Sequence, residues 1–267
     1  MLLAIDIGNS TIGLGLFRDP FKGKKPIVGR IPSHPAESPG RYRGLLKGFI
    51  ERYEPMALHR GSRAPLLDVI VSSVVPSLSG PIIRSVTGLC RSEPLVVAHT
   101  LETGLSFSVE RPEEIGADRI ANAVAAIHLC GKPVAVADLG TASTVTVVGK
   151  KRDFLGGAIL PGLGLMQRVL HAGTAQLPLI PLARPRTVLG TNTMAAIISG
   201  IIYGTAGAVE TLVRRMEKER RFRVELVLTG GHARLIASLI RREWLLVPDL
   251  TLEGMRLLYL RNSRNIP

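Results

Sequence analysis

The chain is short of cysteine, aromatic residues and acidic residues, and each shortage excludes a class of protein. The two cysteines, Cys90 and Cys130, match neither a disulfide framework nor a zinc-binding spacing, so we expect free thiols in a reducing compartment. Aromatic residues make up 4%, which argues against a platform that stacks the bases of single-stranded nucleic acid. The shortage of acidic residues leaves a net charge of +13, which favours an anionic partner.

The positive charge is concentrated in two stretches, residues 18–63 and residues 214–223. Neither stretch carries a motif of a known nucleic-acid-binding fold, and a solvated basic surface is the simpler interpretation. An anionic metabolite would satisfy the same charge. We therefore expect no nucleic-acid partner.

Long apolar stretches are also few. The first one is interrupted by Asp6 and has no basic region before it, unlike a signal peptide. Residues 194–213 carry one charge, Glu210, and place Gly200 and Gly204 four residues apart, as in closely packed helices. The flanks lack the paired basic and aromatic anchors of a membrane span, so we expect a central helix whose glycine face is buried against a partner helix or a second subunit. These patterns predict a cytoplasmic protein with no membrane partner.

Two segments about half a chain apart resemble each other. Residues 2–16 read LLAIDIGNSTIGLGL, and residues 134–148 read VAVADLGTASTVTVV. Each is an apolar strand, an Asp-x-Gly turn with short polar residues, and a second apolar strand. The pattern predicts two similar halves that each open with a β-hairpin, with Asp6 and Asp138 at equivalent positions. The remainder predicts a mixed α/β fold, with a proline-rich loop over residues 20–38.

The first turn has the composition of a phosphate site. Gly8 lets the backbone approach an oxyanion closely, and short donors follow it: Asn9, Ser10 and Thr11. A carboxylate among phosphates repels them unless a cation lies between, so Asp6 predicts Mg²⁺, bound directly or through water. The second turn, residues 138–144, offers the same chemistry. Two such hairpins facing each other would hold a triphosphate between them, whereas either turn alone could be an ordinary β-turn.

Two further segments lie where a predicted strand or loop meets a helix. In residues 116–119 (GADR), Asp118 can cap the helix N-terminus, which is the purely structural interpretation. Arg119 beside it suits an organic carboxylate or a phosphate, which leaves Asp118 to accept a proton from an alcohol. Residues 229–231 (TGG) leave room for a base or ribose, or form a plain turn.

Four motifs together resemble the type III pantothenate kinases, of the acetate kinase–sugar kinase–Hsp70–actin superfamily: DIGNST, GADRIAN, DLGTAST and GGAILPGLGL. Their order and spacing match along nearly the whole chain. The resemblance implies an α/β fold of two ribonuclease H-like (actin-like ATPase) halves around a central cleft, residues 1–117 and 118–267, in a homodimer. It also implies ATP-dependent phosphorylation of pantothenate to 4′-phosphopantothenate, the first step of coenzyme A biosynthesis.

The resemblance implies roles for particular residues. ATP would bind to Thr141 and to the whole first turn: Asp6, Ile7, Gly8, Asn9, Ser10, Thr11, Ile12 and Gly13. Pantothenate would bind to the GADR segment and one later residue: Gly116, Ala117, Asp118, Arg119 and Thr193. Asp118 would be the catalytic proton acceptor. Asp138 would ligate the K⁺ or NH₄⁺ that the family needs in addition to Mg²⁺.

The sequence departs from the family at two positions. Ser10 stands where Thr is usual, which keeps the hydroxyl. Val109, seven residues before Gly116, stands where the family often has a substrate-contacting Tyr, so this position offers only a weak contact with pantothenate. A sugar or acetate kinase, and a nucleotide-binding regulatory or accessory factor without kinase activity, are the alternative functions. The retained aspartates at positions 6, 118 and 138 favour an active kinase.

Overall fold

A computed structural model describes four parts of the chain: residues 1–33, 39–54, 67–90 and 92–263. The ends of the proline-rich segment 20–38 and of the basic stretch 18–63 lie outside the described residues. The structure divides into two compact units. Unit 1 is formed by Met1–Leu105, Glu110–Ala125 and Leu250–Pro267, and unit 2 by Ser106–Val109 and Ala126–Asp249. The domain division between residues 117 and 118 stays a prediction.

Strands and helices alternate along the chain, as expected for an α/β protein. The strands are β1 (Leu2–Ile7), β2 (Thr11–Phe17), β3 (Ile27–Pro32), β4 (Asp68–Ser73), β5 (Leu95–Val96), β6 (Ser106–Phe107), β7 (Val134–Leu139), β8 (Ala142–Val148), β9 (Asp153–Pro161), β10 (Glu225–Thr229) and β11 (Leu245–Leu246). The helices are α1 (Pro39–Tyr53), α2 (Pro76–Thr87), α3 (Ala117–Cys130), α4 (Leu163–Ala172), α5 (Thr193–Arg220), α6 (Ala233–Ala237) and α7 (Leu250–Asn262).

Unit 1 is built on a sheet with the strand order β3-β2-β1-β4-β5. The central strand β1 is apolar at successive positions because both of its faces are covered. Leu3 and Ile5 pack into a core with α1 and α2, while Leu2 and Ala4 are also fully buried. Helix α7, from the end of the chain, packs on β1, β2 and β4.

Unit 2 repeats this arrangement. Its sheet has the order β11-β10-β7-β8-β9-β6, so that β9-β8-β7-β10-β11 corresponds to β3-β2-β1-β4-β5. In both units the first hairpin is antiparallel and the next neighbour of the first strand is parallel. The burial pattern along β7 and β8 is the same, residue by residue, as along β1 and β2. The prediction of two similar halves that each open with a β-hairpin is therefore confirmed.

The predicted loop over residues 20–38 is wrong where β3 lies. This strand is at the edge of the unit 1 sheet, and its side chains alternate between half-buried and exposed. Pro26 precedes it and Pro32 ends it. Proline is tolerated on an edge strand because one side of the strand has no ladder to complete. Because of these prolines, the short alternating pattern of β3 was read from the sequence as a loop.

Helix α5 has two different faces. Ile197, Ile201 and Ile202 are buried in the unit 2 core. Gly200 and Gly204 are exposed, and a Cβ at either would meet nothing within 4 Å among the described residues. Of the two predicted environments for this glycine face, burial against a partner helix is not found among the described residues, and burial against a second subunit stays a prediction. By length and hydropathy α5 also qualifies as a membrane span, but core helices of soluble proteins pass the same test.

Candidate active site

The first turn joins β1 to β2 in unit 1, and hydrogen bonds to its carbonyl oxygens fix its backbone conformation. The Gly8 N–H donates to the Thr11 carbonyl at 3.0 Å. The Ser33 hydroxyl donates to the Gly8 carbonyl at 2.6 Å, and the Ser33 N–H donates to the Ser10 carbonyl at 3.2 Å. These bonds occupy carbonyl oxygens of the turn and leave the side chains of Asn9, Ser10 and Thr11 exposed. The turn therefore presents donor groups to an oxyanion.

Asp6 lies one residue before the end of β1, between two small neighbours. It stands opposite Gly13 of β2 and Ser72 of β4. The buried Ser72 hydroxyl donates to Asp6 Oδ1 at 2.9 Å, which fixes the orientation of the carboxylate. Across the described ranges, no group of three or more His, Cys, Asp or Glu side chains could hold a metal ion. A Mg²⁺ at Asp6 would therefore take its other ligands from water and phosphate, as Mg²⁺ beside nucleotides ordinarily does.

The start of α3 lies at the same end of the unit 1 sheet as the first turn. The N–H of Val74, which follows β4, donates to the Ile7 carbonyl at 3.1 Å. A Cβ at Gly116 would lie 3.4 Å from Val74 Cγ1, so the two residues are in contact. Unit 1 thus brings Gly116, and with it Asp118, to the end of β1 at which the first turn begins.

The carboxylate of Asp118 is half-buried and closely packed. Its Oδ1 accepts the Arg119 N–H at 2.7 Å, which also satisfies a backbone donor in the first turn of α3. A Cβ at Gly116 would lie 2.6 Å from the same oxygen, so a larger residue there would displace the carboxylate. Burial raises the pKa of the Asp118 carboxyl, opposed by the N–H and charge of Arg119. A raised pKa makes this carboxylate a better proton acceptor.

The last residue of the GADRIAN motif has a structural role that the sequence did not reveal. Asn122 is buried, and its Oδ1 accepts the Thr251 hydroxyl of α7 at 2.9 Å. A Cβ at Gly254 would lie 1.9 Å from the Ala121 carbonyl oxygen, so α7 approaches α3 without an intervening side chain. The DLTLEG segment at residues 249–254 therefore holds α3, and with it Asp118, in place.

The second turn joins β7 to β8 in unit 2, and two glycine N–H groups donate to its carbonyl oxygens. The Gly140 N–H donates to the Ala142 carbonyl at 3.1 Å, and the Gly162 N–H donates to the Thr141 carbonyl at 3.1 Å. A Cβ at Gly162 would lie 2.3 Å from the carbonyl oxygens of both Gly140 and Thr141. Gly162, the last residue of the GGAILPG motif, therefore has to be glycine for the chain to approach the second turn this closely.

Asp138 occupies in β7 the position that Asp6 occupies in β1. It stands opposite Thr144 of β8 and Thr229 of β10. Gly230 has a φ of +91°, and a Cβ there would lie 2.5 Å from Asp138 Oδ1. The TGG segment thus closes on the carboxylate, a contact that sequence reasoning missed because nothing in the spacing connects residues 138 and 230.

Thr193 and Val109 lie elsewhere in unit 2. Thr193 is exposed at the start of α5, which the Asn192 side chain caps by accepting the Ala195 N–H at 2.9 Å. It lines an apolar groove of about 930 Å³ between α4 and α5, which extends to Pro161 next to the second turn. Val109 is half-buried, and its Cγ1 would lie 3.5 Å from a Cβ at Gly156 in β9. The GADR segment, by contrast, belongs to unit 1.

Neither cysteine is a candidate nucleophile. Both are free thiols, as the sequence predicted. Burial raises the pKa of Cys90 to about 12, and its Sγ donates to the Val86 carbonyl at 2.9 Å. Burial also raises the pKa of Cys130. A thiol in this state is protonated and unreactive at neutral pH.

A family model described as type III pantothenate kinase matches residues 2–215. The chain belongs to this family. The match includes both turns, the start of α3 and the start of α5, and therefore every residue to which the resemblance gives a role, whereas the TGG segment at 229–231 lies beyond it. Membership makes the chain a pantothenate kinase, an ATP-dependent enzyme that transfers phosphate to an alcohol group.

Solved structures share the fold of this pantothenate kinase at low sequence identity. A Baf family transcriptional activator from Campylobacter jejuni has a TM-score of 0.61 and 17% identity, covering 98% of this chain and 99% of that one. The ethanolamine utilization protein EutJ from Carboxydothermus hydrogenoformans has 0.57 and 15%, covering 96% and 89%. The activator of 2-hydroxyisocaproyl-CoA dehydratase from Clostridium difficile, solved with ADPNP, has 0.54 and 14%, covering 100% and 98%. These likenesses confirm the mixed α/β, actin-like ATPase fold with two sheets.

Proposed function

We propose that this kinase phosphorylates pantothenate on its 4′-hydroxyl, giving 4′-phosphopantothenate in the first step of coenzyme A biosynthesis. The observation that supports this most is Asp118, a half-buried carboxylate with a raised pKa at the same end of the unit 1 sheet as the first phosphate turn. Asp118 accepts the proton of the 4′-hydroxyl as its oxygen bonds to the γ-phosphorus of ATP. The bond from that phosphorus to the β–γ bridging oxygen breaks, and ADP leaves.

ATP binds through both turns. The first turn, residues 6–13, and Thr141 of the second supply donors to phosphate oxygens, in keeping with the exposed polar side chains of the first turn. Asp6 would hold Mg²⁺ and Asp138 would hold K⁺ or NH₄⁺, and cations at these positions would supply positive charge beside the transferred phosphoryl group. The ADPNP bound to the Clostridium difficile activator is consistent with a nucleotide on this fold.

Pantothenate is held by Gly116, Ala117, Arg119 and Thr193, with a weak contact at Val109. The Arg119 guanidinium is half-buried, and burial lowers its pKa, opposed by the charge of Asp118. A guanidinium is suited to bind the carboxylate of pantothenate. No membrane or nucleic acid takes part, and the enzyme works in the cytoplasm.

The enzyme acts as a homodimer. Exposed apolar residues lie along the groove between α4 and α5, among them Leu165 and Val169, and Gly200 lines the same groove. A contiguous apolar surface beside a glycine face is typical of an interface between subunits.

The proposed reaction is tested by ADP release with pantothenate, acetate, a hexose or no acceptor, in K⁺ and in Na⁺. We expect release that depends on pantothenate and is faster in K⁺. Release that depends on acetate or the hexose instead would favour the sugar or acetate kinase. ATP binding without release in any mixture would favour the non-catalytic regulator.

A further inference from the structure

The end of α5 and the residues that follow it enclose a cleft that the proposed kinase reaction does not use. The cleft has a volume of about 380 Å³ and is lined by six residues: Arg214, Glu217, Lys218, Arg221, Phe222 and Arg223. Four of them are basic and one is acidic, which gives the lining a net charge of +3. The second basic stretch of the sequence, residues 214–223, is therefore folded into a concave surface in unit 2.

The acidic residue of the lining is already compensated by a partner outside it. Glu217 is buried, and its Oε1 accepts hydrogen bonds from Arg242 NH2 at 2.9 Å and from the Val224 N–H at 3.0 Å. Arg223 NH1 lies 3.3 Å from Oε2, but the Arg223 side chain is 88% exposed. The positive charge of the cleft is thus left for another anion.

The remaining basic residues of the lining are Arg214, Lys218 and Arg221. All three are exposed, and their side chains have no ion-pair partner in the part of the chain that the structure describes. Lys218 follows Arg214 by four residues, so the two like charges lie on one face of α5 and repel each other. A bound anion would remove this repulsion.

The backbone at Arg221 is a second sign of a binding role. This residue follows the last residue of α5 and has a φ of +57°, in the left-handed region. Glycine is usual at this position because a Cβ makes the conformation unfavourable. The helix dipole favours basic residues in the last turn of a helix. It does not account for an arginine in an unfavourable conformation, or for Arg223 beyond the helix.

The cleft lies at the other end of the unit 2 sheet from the second turn. Arg223 is two residues before the start of β10, which runs parallel to β7. Glu225 of β10 pairs with Val134 at the start of β7, whereas Thr229 pairs with Asp138. Four residue steps of strand, about 13 Å, separate these two pairs. An anion in the cleft is therefore distinct from a phosphate at the second turn.

We propose that this cleft is a second anion site, which binds a small ligand with two or more phosphoryl groups. The planar guanidinium group binds phosphate oxygens in pairs, and three arginines within ten residues suit more than one phosphoryl group. The volume is at the lower end of the range for small-molecule sites, which favours a compact ligand over an extended polymer. The site does not depend on the proposed kinase reaction.

The test is calorimetric titration with pyrophosphate, inorganic phosphate and citrate, without Mg²⁺ and at constant ionic strength. Wild type should bind pyrophosphate most tightly. Arg214→Gln should weaken pyrophosphate binding about two- to tenfold, between the effects of an exposed ion pair and a charged hydrogen bond. Arg215→Gln is the matched control, because Arg215 is also exposed in α5 but does not line the cleft. It removes the same charge and should bind as wild type does.

Arg221→Gly separates binding from folding. Glycine adopts a positive φ without a steric cost, so the melting temperature without ligand should be unchanged or higher. Pyrophosphate affinity should nevertheless fall about two- to tenfold. Arg152→Gly is the control for the backbone change, because Arg152 is also exposed and has a φ of +60° but does not line the cleft. It should keep wild-type affinity.

Four outcomes would overturn the inference. The first is wild-type affinity for pyrophosphate in both Arg214→Gln and Arg221→Gly, which would place any bound pyrophosphate at the two phosphate turns. The second is an equal loss in Arg214→Gln and Arg215→Gln, which would indicate a general effect of charge. The third is tighter binding of citrate than of pyrophosphate. The fourth is binding of duplex DNA without binding of pyrophosphate, which would indicate an extended nucleic-acid surface.

Discussion

The two hairpins have the same burial pattern along their strands and an aspartate at the same position, yet the contacts described at their turns differ in kind. The first turn is held by hydroxyl groups, with Ser33 bonded to the Gly8 carbonyl and Ser72 bonded to Asp6. The second is held by close backbone approach, with Gly162 against Thr141 and Gly230 against Asp138. The aspartate faces glycine across the first hairpin and threonine across the second.

This difference has a consequence for how each turn tolerates substitution. Hydroxyl contacts can be lost one at a time, whereas a glycine that touches a carbonyl oxygen cannot be replaced without moving the backbone. The first turn also has the proposed proton acceptor, Asp118, at its end of the sheet, because Val74 links Ile7 to Gly116 within unit 1. We therefore expect catalysis to depend most on unit 1, and the closure of the second turn to tolerate the least change.

The largest expected effect tests the proton acceptor of unit 1. Asp118→Asn should lower turnover by about 10²–10⁴-fold, the range for losing a general base. Pantothenate binding should persist, because the amide oxygen can still accept the Arg119 N–H. Steady-state kinetics with a calorimetric binding control would measure both. Near-normal turnover would reduce Asp118 to a helix cap.

The raised pKa of Asp118 gives a related expectation for stability. Folding favours the protonated form of a carboxyl whose pKa is raised. The contribution of Asp118 to the free energy of unfolding is therefore fully present below the ordinary pKa of 3.8 and is lost as the pH rises through the pKa of the folded state. At neutral pH, Asp118→Asn should therefore unfold at an equal or higher temperature than wild type. A clearly lower melting temperature at pH 7, measured by calorimetry, would show that the charged form stabilises the fold.

The next effect compares the two turn aspartates directly. Asp138→Ala should abolish stimulation by K⁺ because it removes the proposed carboxylate ligand, while the melting temperature without ligand should change little. Asp6→Ala, the matched variant in the first turn, should lose most of its Mg²⁺-dependent turnover. The turnover that remains should still be stimulated by K⁺. Rates measured in K⁺ and Na⁺ would show both. If Asp138→Ala were still stimulated by K⁺, the cation would lie elsewhere.

The contrast in closure predicts unequal losses of stability. Gly162→Ala places a methyl group 2.3 Å from two carbonyl oxygens and should destabilise the fold by about 1–3 kcal/mol or more, the range for overpacking. Ser33→Ala removes one hydrogen bond and should cost about 0.5–1.5 kcal/mol. Denaturant titration would measure the two free energies of unfolding. Equal values would mean that the turns are closed in energetically similar ways.

The smallest effect concerns Val109, where the chain differs from its family. Val109→Tyr should lower KM for pantothenate by up to about tenfold and leave kcat nearly unchanged, because a neutral hydrogen bond would be regained equally in ground and transition states. Val109→Phe is the control, with the ring but no hydroxyl. A higher KM in both variants would mean that the ring clashes, since Val109 already lies against Gly156.

Sequence reasoning succeeded where the signal is local. The two Asp-x-Gly hairpins could be predicted because strand, turn and polar residues are adjacent in the chain. The closures of the second turn could not, because Gly162 and Gly230 approach it from β9 and β10 only after the sheet has formed. Strand β3 was missed because the prolines at positions 26 and 32 are typical of loops as well as of edge strands.

The environment of the glycine face of α5 could not be chosen from the sequence for the same reason. Composition allowed burial against another helix or against a second subunit, and the described part of the chain leaves that face exposed.

The central claim is tested most directly by identifying the product. Pantothenate would be incubated with ATP, Mg²⁺ and K⁺, and the mixture analysed by mass spectrometry and phosphorus NMR with wild type and Asp118→Asn. The account predicts one added phosphate on the 4′-hydroxyl with wild type, formed at least about a hundredfold more slowly with the variant. Unmodified pantothenate with wild type, or equal product with both proteins, would contradict it.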